Sequence, residues 1–102
     1  MLITLDQSAT VREAAILAAQ LADGMARADT TLTIDADAVV EADLSLLQLI
    51  EVARRDMAAR GGAVQLRTPA NPAIAAVLER AGFLAAANAD DLQFWFHGDR
   101  QS

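Results

Sequence analysis

Asp43, Leu44 and Ser45, in the stretch ADLSLLQLIE, set an acidic group and a hydroxyl on either side of one spacer at the mouth of an apolar run. Two chemistries fit that spacing. Asp43 can cap a helix, its carboxylate accepting from backbone N–H groups that the first turn leaves unpaired. Ser45 can accept a phosphoryl group, which the positive end of a helix dipole would hold. Such a group would add nearly two negative charges to whatever surface carries it. Asp35, Asp37, Glu41 and Asp43 crowd the same stretch and raise the question of a hard cation. They lack the Gly-punctuated spacing of a calcium loop and read as solvated carboxylates. His97 is the single histidine, with no Ser or Cys in a recognisable catalytic arrangement, and reads as a solvated residue near the C-terminus. Gly61–Gly62 lacks the further Gly and Lys of a phosphate loop. No nucleophile–base pair, metal-ligand spacing or cofactor loop emerges, so the expectation is a protein that is not an enzyme, with no metal and no cofactor.

The composition narrows the partners. The chain has 102 residues, enough for one domain (residues 1–102) with a modest core. Its 54% hydrophobic content suits a compact fold, and much of it is Ala, which favours helices. The net charge is −6 and every basic residue is Arg. That balance argues against nucleic acid and against anionic lipid, both of which need clustered positive charge. The absence of cysteine removes disulfides and thiolate chemistry. The N-terminus has no basic region followed by an apolar stretch, and no run is long enough to span a membrane, so a cytoplasmic protein without membrane insertion is expected.

Two periodicities alternate along the chain. Leu2–Leu5, Thr31–Asp35, Ala63–Arg67 and Leu92–Phe96 read as strands. In the last, alternation puts Phe94 and Phe96 on the core side and Trp95 on the other. Between them lie three helical patterns. The first opens with Thr10 and Glu13 in capping-box spacing, and its apolar stripe is Val11, Ala14, Ala15, Ala18, Leu21, Ala22 and Met25. The second runs from about Leu44 to Arg60 and buries Leu46, Leu47, Leu49, Ile50, Ala53, Met57 and Ala58, with Glu51, Arg54, Arg55 and Arg60 in solvent. Gly61–Gly62 stop it. In the third, Asn71 suits the N-cap, Pro72 the first helical position and Gly82 the C-terminal cap. The order β–α–β–α–β–α–β implies crossovers and an at least partly parallel sheet, an α/β fold.

Over residues 31–84 the chain resembles the STAS domain, the fold of anti-sigma-factor antagonists and of the cytoplasmic tails of sulfate transporters. Asp43, Leu44, Ser45, Leu46 and Leu47 stand where that family has Asp, two hydroxyl residues, Gly and Leu opening a helix, and the segments LQLI and AGF also match. The resemblance implies a small mixed sheet with helices mainly on one side. It also implies a docking surface of Glu41, Asp43, Leu44, Ser45 and Leu47. The family's regulated phospho-acceptor directly follows the Asp. Leu44 occupies that position and cannot be phosphorylated, so either phosphorylation moves to Ser45 or the switch is lost. The expected role is a stand-alone regulatory protein that binds an anti-sigma factor, a kinase-like switch protein, or a chemotaxis or two-component signalling assembly. The alternative is a cytoplasmic STAS subunit that binds the ATPase of a phospholipid-transporting ABC transporter.

Overall fold

In the computed structural model, which describes residues 1–98, the sheet grows from its middle strand outward. β3 (Thr31–Asp35) pairs in parallel with β1 (Leu2–Thr4) on one side and with β5 (Ala63–Leu66) on the other. α1 (Ala14–Arg27) connects the first pair and α2 (Leu44–Ala59) the second. A second, very short parallel ladder joins β2 (Ser8–Ala9) to β4 (Glu41–Ala42), and neither was legible as a strand in the sequence. Every strand pair is parallel, so the fold is α/β, with a parallel sheet where a mixed one was expected.

One face of the sheet is apolar and buried. Ile3, Leu32, Ile34, Val64 and Leu66 point from it into the core, where they meet Leu17 and Leu21 of α1 and Leu46, Leu47, Ile50, Ala53 and Met57 of α2. The other face, with Thr4, Thr33 and Gln65, stays partly or fully in solvent. Period-2 alternation in the strands and one-sided burial are the same fact seen twice. Gly24 lets α1 approach closely, since a Cβ there would sit 3.0 Å from both Ile3 and Leu32 side chains.

α1 is rotated relative to its expected stripe. Its buried line is Leu17, Leu21 and Gly24, while Val11, Ala15, Ala18 and Ala22 face solvent. Alanine contributes little area per residue, so the two leucines decide which side turns inward. The later helix ends follow their signals. Gly61 and Gly82 both adopt positive φ, and the amides of Gly62 and Phe83 reach back to the carbonyls of Met57 and Leu78 at 2.8 and 3.0 Å. Both are Schellman closures.

The expected strand at Leu92–Phe96 is a helix. α3 (Pro72–Arg80) is followed by α4 (Ala89–Phe96), opened by a capping box in which Asn88 accepts from Asp91 N–H and the Asp91 carboxylate accepts from Asn88 N–H. Phe94 and Trp95 are both buried. Adjacent residues of a strand point to opposite faces, and here one face of the sheet is bare. A strand would therefore leave one of these rings in water, whereas a helix buries both. Trp95 packs edge-on against Phe83 and Phe94, and its indole N–H finds no acceptor among the described residues. Arg54, expected in solvent, is instead largely covered. It bonds Glu51 and Asp91 at 3.0 and 3.1 Å and lies over the Phe94 ring, pinning α4 to α2.

Candidate functional site

Asp43 is the joint of its region. One carboxylate oxygen accepts from Ser45 N–H at 3.0 Å and caps α2. The other accepts from Val11 N–H at 2.9 Å and so holds the 3-10 turn Val11–Glu13 that leads into α1. A single carboxylate thus fixes the starts of two helical segments. Nothing in the sequence links Asp43 to Val11, 32 positions away.

Around this joint lie three apolar side chains that the fold leaves out: Val11 at 65% exposure, Val40 at 67% and Leu44 at 50%. Leu44 follows Asp43, Val40 precedes it by three residues, and Val11 is bonded to it. Glu41 is exposed beside them, 4.0 Å from Arg12, a contact that solvent makes weak. Ser45 is half-buried in the first turn of α2, and its hydroxyl makes no hydrogen bond among the described residues. Leu47 is different. At 2% exposure it belongs to the core, because it lies one turn along α2 on the face turned to the sheet, and it supports the edge from beneath without meeting a partner. Val11 and Val40 were not anticipated. Their only sequence signal is a β-branched side chain in a loop or turn next to the cap.

Two clusters stiffen the surroundings. Glu13 accepts from the Ser8 hydroxyl at 2.7 Å, the Thr10 hydroxyl at 2.8 Å and the Thr10 amide at 3.0 Å. These bonds, the Ser8 one first, hold its pKa below the ordinary carboxylate value. Asp35 is likewise lowered, first by the Asp37 amide and then by Arg67 at 2.8 Å. The loop between β3 and β4 is tied down by Asn71, whose amide donates to the carbonyls of Ala36, Asp37 and Val39 while its oxygen caps α3 at Ile74 N–H.

The acidic residues of this region do not converge. Asp35 turns to Arg67, Asp37 bonds Thr68, Glu41 faces Arg12 and Asp43 holds backbone amides. No group of three or more His, Asp or Glu residues among the described residues is arranged to hold a metal ion. Among the described residues His97 bonds none of them. It closes α4 in the left-handed conformation, and its Nε2 is 2.9 Å from the carbonyl oxygen of Leu66. A groove of about 840 Å³ runs beside β5 between α2 and α4. No helix among the described residues is long and apolar enough to cross a membrane. No protein-family model matches the chain, and no curated protein matches its sequence.

Proposed function

We propose that the chain is a non-catalytic regulatory domain of the STAS-like kind that acts by docking a protein partner on the edge built around Asp43. The observation that carries this reading is the exposed apolar trio Val11, Val40 and Leu44 on a backbone that Asp43 holds at two points. Apolar groups left out of a core and mounted on fixed backbone bind with little ordering cost. Glu41 at the rim favours a partner with basic groups around an apolar recess. In this reading the partner is an anti-sigma factor, a kinase-like switch protein or a chemotaxis or two-component assembly in the cytoplasm. Leu44 leaves the family's phospho-acceptor position without a hydroxyl, and Ser45 is the remaining candidate acceptor.

The same absence of a hydroxyl suits the second reading, a subunit clamped on the ATPase of a phospholipid transporter, which needs no phospho-switch. Affinity purification of the tagged chain from its own cells, with mass spectrometry of the captured proteins and of Ser45, separates the two. An ATPase subunit with a permease refutes the signalling reading. Leu44→Glu should abolish capture at least tenfold while leaving folding intact, because an acidic residue suits the first turn of α2. Capture unchanged by Leu44→Glu would place the docking surface elsewhere.

A further inference from the structure

Among the described residues β5 is an edge strand, and its outer side is nearly self-complementary. The amides of Ala63 and Arg67 point to β3, bonding the carbonyls of Thr30 and Ile34 at 2.7 and 2.9 Å. By alternation Gln65 also faces β3, while Val64 and Leu66 turn their N–H and C=O groups outward into the groove. Among the described residues one of those outward groups is occupied: the Leu66 carbonyl, by His97 Nε2. A carbonyl can only accept, so Nε2 carries the hydrogen.

Two copies of β5 set antiparallel about a two-fold axis at Gln65 would match Val64 of each with Leu66 of the other. Each such pair exchanges two bonds, Val64 N–H to Leu66 C=O and Leu66 N–H to Val64 C=O. The acceptor that pairing requires is the one His97 holds. The charge on the groove supports the same occupant. Across a chain of net charge −6, its lining carries Arg54, Arg55 and Arg67 against Glu51, Asp90 and Asp91, a balance that removes repulsion between copies at this place. We infer that His97 is a guard on the β5 edge: its bond to Leu66 keeps a second copy of this chain from adding its own β5 to the sheet. Unpaired edges are a standing hazard, and covering one outward acceptor with a side chain on the adjoining helix is an economical defence.

The test compares the full chain with His97→Gly. Glycine accepts the left-handed conformation at the end of α4, so the cap is kept and only the ring is lost. Sedimentation equilibrium and amide hydrogen exchange are the readouts, with circular dichroism confirming that the helices remain. The expected result is a self-association constant raised at least tenfold in the variant, with Val64 and Leu66 amides passing from fast exchange to protected. Adding Gln65→Arg sets like charges directly opposite across the axis and should restore the monomer. Mixing His97→Gly/Gln65→Arg with His97→Gly/Gln65→Glu should bring the dimer back as a heterodimer. A variant that stays monomeric at the wild-type level, or that dimerises without protecting Val64 and Leu66, overturns the inference. If His97→Gly loses its helices, His97→Asn, also tolerant of left-handed backbone, is read by the same criteria.

Discussion

Replacing Asp43 with Ala removes two acceptors at once, and the loss can be worked from the geometry. The cap on Ser45 N–H contributes about 1 kcal/mol. The bond from Val11 N–H is exposed and falls at the low end for hydrogen bonds, about 0.5 kcal/mol. The sum, about 1.5 kcal/mol, corresponds to a fall in Tm of about 7 °C for a chain of this length. Asp43→Asn separates the two contributions. Its single amide oxygen can serve Ser45, while its NH2 group would face the Val11 amide donor-to-donor. The expected order of stability is wild type, then Asn lower by about 0.5 kcal/mol, then Ala. Urea unfolding at neutral pH reads all three. An Asn variant as unstable as Ala, or an Ala variant within about 0.3 kcal/mol of wild type, would refute the idea that one carboxylate ties both helical segments.

Asn71→Asp tests the loop clamp. Aspartate caps helices as well as asparagine does but has no N–H to donate, so the carbonyls of Ala36, Asp37 and Val39 lose their partner and face a negative charge. The expected cost is about 2 kcal/mol by urea unfolding, and a neutral outcome would mean the clamp contributes nothing. Acid should destabilise the fold through Glu13 and Asp35, whose folded pKa values lie below their unfolded ones. Their contribution is fully present above the unfolded values near 4 and is lost as pH falls through the folded ones. The double variant Glu13→Gln/Asp35→Asn should therefore show a flatter fall in stability below pH 4, and an unchanged slope would count against that assignment.

Most of the framework could be read from spacing. Thr10 with Glu13, Asp43, Asn71 with Pro72 and the glycines at 61, 62 and 82 are short-range signals, and each makes its cap or turn within its own segment, while Asp43 and Asn71 also reach across to Val11 and to the loop between β3 and β4. The stretch at 92–96 misleads because its alternation is a strand pattern, while the deciding facts lie outside it: the capping pair at Asn88 and Asp91, and a sheet with room on only one face. Asn88 and Asp91 were visible in the sequence; the bare face was not. The candidate site divides the same way. Asp43 as a cap and Glu41 as a solvated loop carboxylate follow from local sequence, whereas Leu44 at the surface was implied only by the family resemblance. The bond from Val11 N–H to Asp43, the outward turn of Val40 and the inward turn of Leu47 depend on how α1 and α2 come together.

The strand order has a consequence for how the chain assembles. β3 is the shared member of both parallel pairs, each joining segments roughly thirty residues apart. Neither βαβ half owns a sheet of its own, since removing β3 from either leaves a lone strand. Docking of the first half onto β3 and docking of the second therefore stabilise the same strand, and each raises the yield of the other. Heat or urea should dissolve both halves in a single cooperative step, with β3 amides the last to exchange.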